Sequence, residues 1–137
     1  MLDLEVITPE RMAFQEKADF VVLPGTEGEL GILSGHAPLL AELGTGELRI
    51  KRGSQTDFFA VSGGFAEVLE NRVKVFAETA ELESEINAER ARQASERARS
   101  EIQKASTPAD LALAQAALRR ALLRLRVAEG MSRRRKA

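Results

Sequence analysis

Cysteine, tryptophan and tyrosine are absent from the 137 residues, and histidine occurs once, as His36. Without cysteine there are neither disulfides nor thiolate metal sites, which points to an intracellular chain. One histidine among scattered carboxylates offers no metal-ligand spacing. No apolar run approaches the ~18 residues of a membrane span, and the acid-rich start does not resemble a signal peptide. A soluble chain is expected, one that works beside a membrane at most. The missing Tyr and Trp, with an acidic first half, also argue against a nucleic-acid module.

What is present divides in two. Residues 1–80 carry 7 Lys+Arg against 13 Asp+Glu, a net of −6, and residues 81–137 carry 13 against 8, a net of +5. Nine of ten glycines precede residue 65 and all six phenylalanines precede residue 77. The division predicts a first domain over 1–84 and a second over 85–137.

The first part reads as β. Leu4 and Val6 alternate with Glu5 and Ile7 before a turn at Pro9, and Phe20 to Leu23 forms an apolar run closed by Pro24-Gly25. Leu48 and Ile50 alternate with Arg49 and Lys51. Phe58 to Val61 runs into Ser62-Gly63-Gly64, read as a strand-to-strand turn, and Phe65 to Leu69 turns at Glu70-Asn71 before Val73 and Val75. Short strands with regular turn signals indicate a sandwich or barrel.

The second part reads as helix. From Ile86 onward Ala91, Ala94, Ala98, Ile102 and Ala105 recur in steps of three and four, a narrow stripe. Thr107-Pro108-Ala109-Asp110 supplies a cap, a first-position proline and an acid in the first turn. A second stripe follows at Leu111, Ala114, Leu118, Ala121 or Leu122, Leu125 and Ala128, with Gly130 placed to end it. A short link between such helices favours an antiparallel hairpin. A buried methylene is worth ~0.8 kcal/mol, so an alanine stripe attaches a helix weakly.

The densest stretch is Gly28 to Leu40, GELGILSGHAPLL, which holds His36, three glycines, Pro38 and five leucines or isoleucines besides. It reads as a shaped loop pinned to a core. As a catalytic loop it lacks a companion nucleophile or base, so docking is the better reading for His36. Ser62-Gly63-Gly64 lacks the pattern of a phosphate loop. Arginines are more suggestive: Arg90 and Arg97 stand two turns apart, Arg120 and Arg124 at i, i+4, and guanidinium groups suit phosphate oxygens. Glu85, Glu89, Glu96 and Glu101 are equally available to pair with them. A small-barrel enzyme around His36 and a free-standing nucleotide sensor remain as rival readings.

VITPER near the start, EGELGILSGHAPLL at 27–40, VSGGFAEV at 61–68, INAERA at 86–91 and ALRRALLRLRVAE at 117–129 together resemble the epsilon subunits of F-type ATP synthases, over essentially the whole chain. The resemblance implies an α+β protein: an N-terminal two-sheet β-sandwich of about ten strands, then a C-terminal antiparallel two-helix hairpin. It implies a non-catalytic central-stalk rotor subunit, with partners in the gamma subunit, the c-subunit ring and, for extended helices, the alpha and beta subunits. Such a subunit couples proton flow to ATP synthesis and restrains ATP hydrolysis. The implied location is peripheral, on the cytoplasmic face of a bacterial plasma membrane, with no membrane insertion of its own.

By the same resemblance, Glu27, Gly28, Glu29 and Leu30 face the c-ring, and His36, Ala37, Pro38 and Leu39 help to seat gamma. Some bacterial members bind ATP through an [IL]-D-x-x-R-A motif and an R-x-x-x-R pair. The matching positions are Ile86, Asn87, Arg90 and Ala91, then Arg120 and Arg124, with Glu81 and Arg97 also in place. Asn87 stands where the motif has Asp, and an amide lacks the carboxylate's charge and its purely accepting oxygens. No cofactor is required, and at most weak regulatory ATP is expected. Arg120, Arg124, Arg126, Arg133 and Arg134 would meet acidic catalytic subunits when the helices extend.

Overall fold

The computed structural model describes residues 1–130 in full and continues the helical backbone to Lys136. Met1–Leu82 and the chain from Glu83 onward form separate compact units. The first contains β1 (Leu2–Ile7), β2 (Met12–Ala18), β3 (Phe20–Gly25), β4 (Gly28–Leu33), β5 (Leu39–Glu42), β6 (Gly46–Arg52), β7 (Gln55–Leu69) and β8 (Arg72–Leu82). These eight strands hydrogen-bond in the order β2-β1-β8-β7-β6-β3-β4, with β5 also on β7.

Register shows how one ladder makes two layers. The lower half of β7, Phe65 to Val68, pairs with β5, whereas its upper half, Gln55 to Val61, pairs with β6. On β8, only Arg72 to Phe76 pairs with β1, in parallel. One layer is therefore β2-β1-β8-β7-β5 and the other β8-β7-β6-β3-β4, sharing the two long strands. Their facing side chains form the core: Leu2, Leu4, Val6, Val68, Val73 and Val75 from the first, Val21, Leu23, Ile32, Leu48, Ile50 and Phe59 from the second. Burying one such side chain contributes about 1.5–3 kcal/mol.

The switch between layers lies at Ser62-Gly63-Gly64. This triplet is inside β7 and not a turn between strands, which corrects the reading from sequence. The ladder to β8 continues through it, with Ser62 opposite Thr79 and Gly64 opposite Ala77. Before it β7 buries Phe59 and Val61, and after it Ala66 and Val68, so the inward face changes from odd to even positions. β8 makes the matching change, from Val73, Val75 and Ala77 to Ala80 and Leu82. The strand turns over because Gly63 and Gly64 have φ of 69° and 102°, open only to glycine at little cost. A Cβ on Gly64 would lie 1.9 Å from the Phe76 carbonyl oxygen. Joining two expected strands into β7 is one reason for eight strands where about ten were expected.

At the opposite edge the layers are closed by aromatic and ionic contacts. Phe14 of β2 meets Phe59 of β7 edge-on at 5.6 Å, and Arg52 lies 5.5 Å over the Phe14 ring. Arg52 also donates from Nε to Asp57 at 2.9 Å and holds the same carboxylate through a second nitrogen at 2.7 Å.

The second unit has a 3₁₀ turn (Glu83–Glu85), α1 (Ala88–Lys104) and α2 (Pro108–Lys136). Asn87 caps α1, its side-chain oxygen accepting the Arg90 N–H at 3.0 Å, and Thr107 caps α2, accepting from Asp110 at 3.1 Å. α1 buries Ala91, Ser95 and Ala98. Ser95 joins the expected alanine stripe because its hydroxyl is satisfied by the Arg92 carbonyl at 2.6 Å. α2 buries Ala114 and Ala121, as well as Leu123 and Val127, which lie off the stripe read from sequence. Gly130 does not end α2. It lies inside the helix and lacks the positive φ of a glycine stop.

Replacing Gly64 by Ala should destabilise the chain by ~3 kcal/mol or more, since strain and a backbone clash combine. Gly53 has φ 60° but open space around it, so Gly53→Ala should cost only about 1 kcal/mol. Urea titration of both variants checks this, and equal losses would refute the role given to the Gly64 contact.

Candidate functional site

The densest stretch in the sequence is three structural pieces: the edge strand β4, a crossover at residues 34–38, and the start of β5. It is thus mostly strand, where a loop was expected. The β4 signal is obscured by Gly31, whose missing side chain is covered by the Phe20 ring; a Cβ there would meet that ring at 3.2 Å.

Glu27, Gly28, Glu29 and Leu30 lie together on the β3–β4 hairpin, whose tip is Thr26-Glu27 between the paired Gly25 and Gly28. Glu27, Gly28 and Glu29 are exposed, while Leu30 is half-buried and packs on the core. Leu30 therefore anchors the hairpin and the acids face water. The Glu29 carboxylate is 3.0 Å from Arg49 on β6, two strands away, and this pair sets its direction.

The crossover carries His36, Ala37 and Pro38 from the edge of one layer to the edge of the other, and Leu39 re-enters the ladder opposite Val68. His36 N–H donates to the Leu33 carbonyl at 3.1 Å, closing a turn. Its ring Nδ1 lies 2.7 Å from the Ala37 carbonyl oxygen, a pairing that requires Nδ1 to carry a proton. A ring held this way shapes the loop. Among the described residues there is no cluster of three or more His, Cys, Asp or Glu able to hold a metal ion.

Beside this crossover lies a face that the sequence reading missed. With Ala66 and Val68 inward, Phe65, Glu67 and Leu69 of β7 point outward. Ladder register sets Ile7, Phe76 and Phe65 side by side on β1, β8 and β7. The two phenylalanines stack with centroids 5.0 Å apart and planes at 26°. Leu40 is 70% exposed, and Phe65 and Leu69 are each 45% exposed. Large apolar groups on an outward register mark an interaction face. The available signal was Phe65 and Leu69 out of phase with Ala66 and Val68, but it is unreadable until the inversion at Gly64 is known.

The residues expected around a nucleotide are placed as follows. Ile86 is half-buried, Ala91 is buried, and Arg90, Arg97 and Arg120 are exposed. Arg90 and Arg97 lie next in sequence to buried Ala91 and Ala98, and Arg120 next to Ala121. Arg124 is half-buried and Arg126 exposed. Glu81 belongs to β8, in the other unit. Arg133 and Arg134 fall outside the residues whose side chains are described. Glu89 and Glu96 pair with Arg92, which sequence reasoning had not singled out; Arg92 reaches Glu96 at 2.8 Å and chelates Glu89 more closely. The hydrogen bond from Arg92 holds the Glu89 carboxyl below its ordinary range, and Glu89 in turn raises the guanidinium. Asn87 spends its side-chain oxygen on the helix cap, leaving its amide group as donor.

Comparisons with known proteins cover both units. Residues 1–83 match the family described as ATP synthase, Delta/Epsilon chain, beta-sandwich domain, and residues 84–129 its long alpha-helix domain. The chain is 46% identical to the ATP synthase epsilon chain of Nitratidesulfovibrio vulgaris, across 92% of this chain and 94% of that one. It is 44% identical to the epsilon chain of Desulforamulus reducens, across 92% and 96%. A chain in the Euglena gracilis mitochondrial ATP synthase, in its OSCP/F1/c-ring structure, superposes with TM-score 0.76 at 28% identity, covering 86% of this chain and 75% of that one. A chain of the Tetrahymena thermophila central stalk and c-ring shares the fold, with TM-score 0.68 at 17% identity over 93% and 96%. By these matches across both domains, the chain belongs to the ATP synthase delta/epsilon chain family, as a structural and not a catalytic member.

Proposed function

We propose that the chain is a rotor subunit in the central stalk of a bacterial F-type ATP synthase, with its sandwich docked between gamma and the c-ring. The observation that carries this reading is the outward apolar face of Leu40, Phe65, Leu69 and Phe76 on a closed, well-packed sandwich. A rotor part must transmit torque, so it needs a rigid body and a broad contact, and it needs no reactive group. Gamma covers this face and the adjoining His36-to-Leu39 crossover. The acidic tip at Glu27, Gly28 and Glu29 meets the c-ring, with Leu30 as its anchor. The named structural relative from Euglena was solved with a c-ring, and the named sequence relatives are bacterial, which supports the cytoplasmic face of a plasma membrane as the location.

Proton coupling follows from that position, and regulation from the second unit. α1 buries only Ala91, Ser95 and Ala98, and α2 adds Leu123 and Val127 to Ala114 and Ala121, a far smaller apolar core than the sandwich has, so the hairpin is held lightly enough to exchange with an extended form. Extended, Arg120, Arg124 and Arg126 meet acidic surfaces of the alpha and beta subunits and restrain hydrolysis. A nucleotide binding the folded form would oppose this. With Asn87 in place of Asp, that binding is weak.

Phe65→Asp should leave the isolated chain folded but weaken its affinity for purified gamma at least about tenfold, measured by calorimetry. Unchanged affinity would remove gamma from this face. Deleting residues 83–137 should preserve assembly and raise ATP hydrolysis by the reconstituted complex, and an unaltered rate would discard the inhibitory role. ATP titrated into the full chain should give at most a response on the order of millimolar, strengthened in Asn87→Asp. Tight saturable binding by the unaltered chain would contradict the weak site.

A further inference from the structure

We propose that Asn71 is a positioning residue for docking: it holds the crossover loop that carries His36, Ala37 and Pro38 in the form presented to the partner. The proposal rests on the gamma-docking reading above and adds the group that shapes one edge of that surface.

Residues 34–38 lie between β4 and β5, outside both strands. The His36 N–H bond to Leu33 is local and closes a turn within the segment. The tie to a distant part of the chain is made by Gly35, whose N–H donates to Asn71 Oδ1 at 2.7 Å. Asn71 is at the β7–β8 turn, 36 positions away in sequence. Its own carbonyl accepts the Asp3 N–H at 2.8 Å, so the same residue also joins the start of β1. One asparagine thereby fastens the loop to two strands of the layer that carries the apolar face.

Asparagine suits both demands made at this position. The turn places residue 71 at φ 60°, a left-handed conformation that Asn adopts more readily than most residues. Its short side chain presents a neutral acceptor next to the backbone. Glycine meets the first demand without the second, and aspartate supplies the acceptor. The position can therefore be dissected without breaking the turn. Leu69 lies two residues before Asn71, so the tie brings the loop to the border of the exposed face. Ala37, Pro38 and Leu40, all exposed, follow directly from it. A loop already held loses less conformational freedom when a partner covers it.

The test uses the full chain with Asn71→Gly and Asn71→Asp. Amide exchange by NMR reports the tie itself, and calorimetry with purified gamma reports docking. In Asn71→Gly the Gly35 amide should exchange at least about fivefold faster and gamma affinity should fall by about five- to tenfold, while urea stability changes little. Asn71→Asp should restore both. Unchanged Gly35 exchange in Asn71→Gly would overturn the tie, and faster exchange with full affinity would overturn its part in docking. If the unaltered chain fails to bind gamma, the docking reading fails with the positioning role, while the exchange data still decide whether the tie exists.

Discussion

The inversion of the inward face along β7 and β8 is the constraint on which the rest of the sandwich depends. A strand that kept one phase over all of Gln55 to Leu69 would hold the same positions inward throughout and could serve only one layer. By turning over at Gly63-Gly64 while keeping its ladder to β8, β7 becomes the shared spine of both layers. The same turn commits Phe65 and Leu69 to the outside. The core and the candidate docking face are thus two consequences of one backbone feature.

Around that spine the remaining elements divide between holding and presenting. Phe14, Phe59, Arg52 and Asp57 close the layers at one edge. Leu30 anchors the β3–β4 hairpin inside, leaving Glu27 and Glu29 to solvent, with Glu29 directed by Arg49. His36 hydrogen-bonds its own neighbours, the Leu33 carbonyl through its N–H and the Ala37 carbonyl through Nδ1. None of these groups needs a reactive state; each fixes a surface.

The helical unit is built on the opposite energetic principle. The sandwich buries Leu, Ile, Val and Phe, while α1 buries only alanine and serine. Its order comes substantially from local devices: the Asn87 and Thr107 caps and the Arg92 pairs with Glu89 and Glu96. Such bonds lie within a few residues of sequence and survive a change in what the helix packs against. The sandwich is thus held by a long-range core, whereas the helices bury less and draw more of their order from local bonds.

Much of this was legible from residues alone. Alternating Leu48 and Ile50, the apolar run at Phe20, the alanine stripe and the Thr107-Pro108 start are local signals, and each element formed where they stood. The motifs at 27–40 and 61–68, followed by a helical hairpin, indicated the family, because that combination is specific. Other features were not legible, beginning with the turnover at Ser62-Gly63-Gly64 and the outward face of Phe65 and Leu69 that it creates. β4 was hidden by Gly31, whose strand role depends on the Phe20 ring above it. Gly130 looked like a stop, but a glycine ends a helix only when the chain adopts positive φ there, which α2 does not. Asn71 looked like an ordinary turn residue, and its tie to Gly35 spans 36 positions. Sequence by itself determined the elements, the two-part division and the family, since those rest on local pattern and composition. The tertiary structure alone decided which side of β7 and β8 faces out along each half, because that is set by the two glycines at the turnover and by partners distant in the chain.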